Sequence, residues 1–375
     1  MPPRSAYVHV PFCAHRCGYC NFTLVAGRDD LIGPYLEALG RELASLGPPA
    51  EVDTLFFGGG TPTHLPPPEL QRLLKTVLRQ FPLAAGAEFS VEANPVDLDE
   101  SRLGLLTEYG VTRVSLGAQS FAPDKLALLE RDHTPANIAQ AFAGARRHVA
   151  QVSLDLIFAA PGETLAAWKD DLTHAVRLRP DHVSTYGLTF ERGTRFHARR
   201  LHHELSEADE ELQRQMYLTA IDTLTAAGLE HYEVSNFARP GARCRHNEIY
   251  WTGGSFFAVG TGAARYIDGR REVNHRSTTT YIRRVLAGQS PVAETEQLGP
   301  EDAARERLVF GLRRLQGIDL AEFERQTGFG VVQLGGLELA RHINSGRLER
   351  SSSRLRLTRE GLVVSDAIWP DLLRT

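Results

Sequence analysis

Three of the four cysteines in this chain fall within one short stretch, YVHVPFCAHRCGYCNF, at Cys13, Cys17 and Cys20. In a reducing compartment, thiols gathered this closely point to a metal site rather than to a disulfide framework. Structural zinc takes four protein ligands and favours paired CxxC units, which a spacing of three residues and then two does not provide. A 4Fe-4S cluster held at three corners does fit. It leaves one iron free to bind a further ligand, whereas a fourth cysteine would close the cluster for electron transfer. Three unrelated loop thiols would be the alternative, and the clustering weighs against it.

A loop carrying such ligands needs a frame to hold it. Short β-rich runs recur at residues 6–12, 52–60, 87–95, 113–120, 151–162 and 182–190, with amphipathic stretches such as PPELQRLLKTVLRQF and ETLAAWKDDLTHAVRLRP between them. That alternation predicts an α/β fold of six βα units, an open or partial (β/α) barrel. Polar or glycine-rich residues stand where most strands end, at Gly58–Pro62, Glu92–Pro95, Gly117–Ser120, Asp155 and Gly162. In parallel α/β folds these ends build the active site, so the motifs are expected to converge on one mouth. A long helix at 207–230 follows, then a segment dense in aromatics and glycine. From residue 298 the pattern changes to three helices and a hairpin, RLERSSSRLRLT, in the order of a winged helix. The expected domains are therefore residues 1–297 and 298–375.

Composition narrows the function classes. At 42% hydrophobic and 23% charged residues the chain reads as an ordinary globular protein. A net charge of -4 argues against broad nucleic-acid binding, and the proposed wing is short. No segment reaches the roughly 20 apolar residues of a membrane span, and the start lacks the apolar run of a signal peptide. A cytoplasmic location is expected.

The CxxxCxxC motif resembles that of the radical S-adenosylmethionine (SAM) superfamily, and GGGTPT at 58–63 is similar to that superfamily's methionine-amine-binding segment. Its glycines let backbone groups approach a ligand closely. YVHVPFC, GGGTPT, EANP, RVSLGAQSF, LDLIFAAPGET, YGLTFERGT, YEVSNFARPG and CRHNEIYW together resemble the oxygen-independent coproporphyrinogen III oxidase family, and more closely its heme-chaperone branch. The resemblance implies a partial (β/α)6 TIM-like barrel with a C-terminal helical, winged-helix-like domain. It implies a 4Fe-4S cluster on Cys13, Cys17 and Cys20, with SAM chelating the free iron. Tyr7 and Tyr19 match wall positions beside the cofactor. Gly59, Gly60 and Thr61 match the amine-contacting turn, and Glu92, Gln119, Arg131 and Asp155 match polar SAM contacts. Two carboxylates suit hydroxyls and an ammonium group, and an arginine suits a carboxylate.

Two readings share this fold. One is an oxidase that cleaves SAM reductively and decarboxylates the propionates of coproporphyrinogen III. The other is a chaperone that binds heme and passes it to acceptor proteins, with a reductant for the cluster and a membrane-associated acceptor among its partners. The oxidase branch has a further cysteine two residues after the triplet, where this chain has Phe22, and an N-terminal extension, where only six residues precede Tyr7. HNEIYW resembles the heme-binding motif of the chaperone branch. His246 would offer an axial imidazole nitrogen, and Tyr250 and Trp251 flat apolar faces for the porphyrin. Cys244 is an alternative thiolate ligand or a buried apolar thiol. The family commonly has aspartate after the third cysteine, where this chain has Asn21. The chaperone reading is favoured.

Overall fold

The computed structural model describes residues 3–373. Six strands, β1 (Ser5–Val10), β2 (Val52–Gly59), β3 (Leu83–Ala93), β4 (Arg113–Gln119), β5 (Gln151–Phe158) and β6 (His182–Gly187), pair in parallel, each with the next in the chain. Helices α1 (Ile32–Ser45), α2 (Pro67–Gln80), α3 (Glu100–Glu108), α4 (Pro135–His148) and α5 (Leu165–Arg177) connect them, followed by α6 (Glu210–Ala226). The six βα units expected from the sequence are present. The strands read as near-continuous apolar runs because helices cover one face while the other lines the barrel interior.

Strands β7 (Glu230–Glu233), β8 (Asn236–Ala238) and β9 (Phe257–Val259) extend the sheet to nine strands in the order β9-β1-β2-β3-β4-β5-β6-β8-β7. Strand β9 runs parallel to β1, and β8 runs antiparallel to β6. The two ends of this order do not pair, so the barrel is open. Between β8 and β9 lies a helix that sequence periodicity did not mark, α7 (Arg245–Trp251).

The N-terminus of α7 is held by a buried ion pair. The Glu88 carboxylate accepts hydrogen bonds from the backbone N–H groups of Arg245 and His246, both at 3.0 Å. Arg113 lies 3.5 Å from that carboxylate and donates to the carbonyls of Ala242 and Arg243. A carboxylate at a helix N-terminus meets both its free N–H groups and its dipole.

A three-stranded antiparallel sheet follows, β10 (Ala264–Ile267), β11 (Arg270–Asn274) and β12 (Val292–Gln297). The C-terminal region then runs α8 (Pro300–Leu312), β13 (Ile318–Asp319), α9 (Leu320–Thr327), α10 (Val331–Asn344), β14 (Leu348–Arg350) and β15 (Arg354–Leu357). Its small sheet has the order β13-β15-β14, and the region is winged-helix-like. Leu308, Leu312, Phe323, Leu348, Leu355 and Ile368 belong to a hydrophobic core separate from that of the barrel. Two short helices, Arg359–Val363 and Ser365–Leu373, complete it beyond the expected hairpin. Among the described residues no helix is long and apolar enough to cross a membrane.

Breaking a buried ion pair from one side strands the other charge, at a cost of about 3–5 kcal/mol. Glu88→Ala should therefore lower unfolding stability by that amount in urea titrations. Adding Arg113→Met should restore part of the loss, because the stranded guanidinium is then removed.

Candidate cofactor site

The cysteine loop is tied at its base. Phe12–Cys13 pairs in parallel with Val25–Ala26, and the Cys20 N–H donates to the Cys17 carbonyl at 3.1 Å. Gly18 lies against the Phe196 ring, where a Cβ would come within 2.5 Å of a ring carbon, and its carbonyl accepts from the Phe196 N–H. The end of β2 meets this loop backbone to backbone. The Gly60 and Thr61 N–H groups donate to the carbonyls of Val10 and Phe12, each at 2.8 Å. Gly59 has φ +107, and a side chain there would fall on the His9 ring.

All three clustered thiols line one cavity of about 360 Å³, together with Tyr19, Gly59, Gly60, Thr61, Glu92, Gln119, Arg131 and Asp155. The residues come from the ends of different strands, as the sequence pattern predicts for a single mouth. Cys13 Sγ lies 3.4 Å from Thr61 Oγ1, and Cys17 Sγ accepts from Arg131 Nη1 at 3.5 Å. Burial pushes the Cys13 thiol up to about 11. Loading a metal on it therefore releases a proton.

The charges in this cavity lack mutual partners. Arg131 donates to Asn94 Oδ1 and to the Gly117 carbonyl, both at 3.1 Å. Its Nε is buried without a partner, and no carboxylate lies within ion-pair distance of it among the described residues. Burial, reinforced by the neighbouring Asp155, pushes Glu92 up to about 8; its carboxylate accepts from the Gly59 N–H at 3.1 Å. Burial also raises Asp155, to about 6, although the Ser115 hydroxyl opposes the shift by donating to its oxygens at 3.1 Å. A guanidinium without an ion-paired carboxylate and two carboxyl groups raised by burial, set beside open backbone and three thiols, fit a cluster plus a ligand bearing carboxylate, cationic and hydroxyl groups.

Other predicted residues lie elsewhere. Tyr7 is outside the cysteine cavity; its ring packs over Phe56, and its hydroxyl lies 3.2 Å from His9 Nδ1. His246 is only 1% exposed and points into the barrel interior, with Nδ1 at 2.9 Å from Thr54 Oγ1 and Nε2 at 2.8 Å from the Tyr250 hydroxyl. Burial pushes its pKa down to about 3, so the imidazole is neutral. The Cys244 thiol is buried beside Glu88, and burial raises its pKa, which keeps it a thiol. Tyr250 and Trp251 face a further cavity outside the barrel. Sequence reasoning missed Asn94 and Ser115 as supports of Arg131 and Asp155. Ser115 stands two residues before Gly117 on the same inward face of β4, a period-two signal that could have found it.

The fold and the site define a radical SAM protein. Residues 7–175 match the family model described as Radical SAM superfamily, and residues 298–364 match HemN C-terminal domain. The chain is 33% identical over 372 residues to the heme chaperone HemW of Bacillus subtilis, with 98% of each chain covered. It is 39% identical to HemW of Mycobacterium tuberculosis (99% of this chain, 95% of that one) and 35% identical to HemW of Escherichia coli (79% and 80%). A solved structure, the radical SAM enzyme coproporphyrinogen III oxidase (HemN) from Escherichia coli, superposes with a TM-score of 0.87 at 23% identity, covering 99% of this chain and 90% of that one. This last likeness is one of fold. The chain belongs to the HemW family.

Membership in the radical SAM superfamily implies a 4Fe-4S cluster and SAM, and the donor set present fits both. Between pH 7 and 9 a carboxyl group with a pKa of about 8 goes from about a tenth to about nine-tenths ionised. The SAM sulfonium keeps its charge throughout, so SAM should bind the reconstituted protein more tightly as pH rises through this window. Glu92→Gln should remove that component of the pH dependence, as read by anaerobic equilibrium binding with radiolabelled SAM.

Proposed function

We propose that this protein is a heme chaperone that binds heme and transfers it to acceptor proteins. It carries a 4Fe-4S cluster on Cys13, Cys17 and Cys20. The observation that supports this reading is the end-to-end alignment with proteins named heme chaperones, which takes in the barrel, α7 and the winged-helix-like region alike. In this proposal residues 1–297 form the SAM and heme-handling unit, residues 298–375 a second domain, and the protein works in the cytoplasm. A cellular reductant serves the cluster, and a membrane-associated protein is one kind of acceptor.

When bound at the three thiols, the cluster supplies an iron site for the amine and carboxylate of SAM. The chain's own residues then orient that ligand. Arg131, held by Asn94 and Gly117, presents a fixed guanidinium to its carboxylate. Glu92 and Asp155 face its hydroxyl and cationic groups, and Gly59, Gly60 and Thr61 offer open backbone. Tyr19, edge-on to Phe196, walls the mouth. Phe22 is 60% exposed at this mouth, in the place where the oxidase branch has another cysteine.

Heme binding is assigned to the segment CRHNEIYW. His246 is the nitrogen donor in it, and its neutral imidazole is the form that ligates iron. Ligation requires the Tyr250 hydroxyl to leave Nε2, since both ring nitrogens are engaged.

Reconstitution and single substitutions test the reading. Anaerobically reconstituted protein should contain one cluster and bind hemin with a shifted Soret band, while forming no protoporphyrinogen from coproporphyrinogen III with SAM and a strong reductant. Cys17→Ala should lose the cluster and its electron paramagnetic resonance signal. Multiple turnovers of coproporphyrinogen III would move the assignment to the oxidase. His246→Ala should alter the Soret band with cluster content unchanged, and an identical spectrum and affinity would remove His246 as ligand.

A further inference from the structure

A second cavity, of about 570 Å³, lies between the end of α7, the sheet β10–β12 and helix α8. Its size is in the range of ligand pockets. Five aromatic rings line it: Tyr250, Trp251, Phe256, Tyr266 and Phe310. Tyr250 and Phe256 meet edge to face at 4.7 Å, and Trp251 and Phe310 lie 6.3 Å apart.

The wall also carries two arginines in different electrostatic states. Arg271 is satisfied, with Glu296 and Glu306 each at 2.6 Å, so the Glu306 carboxylate in the wall is neutralised. Arg307 has no ion pair or side-chain hydrogen bond among the described residues. It is half-buried, and burial pushes its pKa down. An apolar, ring-lined slot whose wall carries one arginine without an ion-pair partner matches a flat hydrophobic ligand carrying a carboxylate.

Among the described residues, Tyr250 is the one that lines both this cavity and the barrel interior around His246. The aromatic half of HNEIYW thus faces the cavity while its histidine stands behind the Tyr250 hydroxyl.

We propose that heme is seated in this cavity, its ring among Tyr250, Trp251, Phe256, Tyr266 and Phe310, and a propionate on the Arg307 guanidinium. The proposal rests on the heme-chaperone reading and adds the place and the anchoring charge. It requires no choice of axial ligand.

The test compares hemin with hemin dimethyl ester, which lacks the free carboxylates, on full-length protein. Arg307→Ala should weaken hemin about tenfold and the ester less than threefold, a difference that a general loss of packing would not produce. Arg307→Gln should behave like the alanine variant, and thermal melting and cluster content should match wild type for both. Equal losses for the two ligands, or no loss for hemin, would overturn the seat. If wild type itself bound no hemin, the chaperone reading would fall and this proposal with it. Hemin binding by wild type with an indifferent Arg307→Ala would reject the seat alone.

Discussion

The cofactor site depends on one close approach of backbones. At the end of β2 the chain is drawn against the strand that leads into the cysteine loop, with the N–H groups of Gly60 and Thr61 bonded to Val10 and Phe12. A Cβ on Gly60 would lie 2.7 Å from the Phe12 carbonyl oxygen, so glycine alone permits the contact. This contact places Thr61 beside Cys13 and leaves the Gly59 N–H free for Glu92. The thiols, the open backbone and the carboxylates are thereby registered to one another before any ligand arrives, which is the condition for orienting a small cofactor without first ordering the loop.

The treatment of buried charge separates scaffold from site. Away from the mouth, two networks match their buried charges, although Glu233 keeps one buried oxygen without a partner. Lys125 lies 2.5 Å from Glu163 and 3.1 Å from Asp171, and Glu42 is met by Asn274, the Gly260 N–H and the Tyr281 hydroxyl. These networks fix the loops after β4 and β5 and tie α1 to β9. At the mouth the rule is broken in both signs, by Arg131 on one side and Glu92 with Asp155 on the other. Because an unmatched buried charge is costly, its persistence around one cavity argues for a ligand that supplies the missing partners.

Much of this was legible in the sequence because it is local or periodic. The six strands and their helices follow from alternating apolar patterns, and the cysteine triplet and GGGTPT announce themselves by spacing. The winged-helix-like region followed from three helical stretches and a hairpin, but its two closing helices, only five and nine residues long, lie below what periodicity resolves. Helix α7 was missed for a different reason. At seven residues it is too short for a hydrophobic period, and it is held by Glu88, 157 positions away from Arg245. Tyr7, whose role beside the cofactor was implied by the resemblance, lines a cavity that adjoins the cysteine cavity and shares Gly59 and Glu92 with it. Its ring packs beside Phe56 and His246.

The levels are nevertheless connected. The barrel interior shares Glu92, Ser115, Asp155 and Tyr186 with the cysteine cavity, and Tyr250 with the aromatic cavity outside. Burial raises the Tyr250 phenol most, and the fields of Cys244 and Glu92 add to the shift. Tyr250 is also the group that holds His246 Nε2. Tyr250 is thus the residue that would have to yield for the histidine to reach a ligand outside the barrel. The barrel interior therefore adjoins both cavities, bounded by Glu92 and Asp155 on the side of the thiols and by Tyr250 on the side of the aromatic rings.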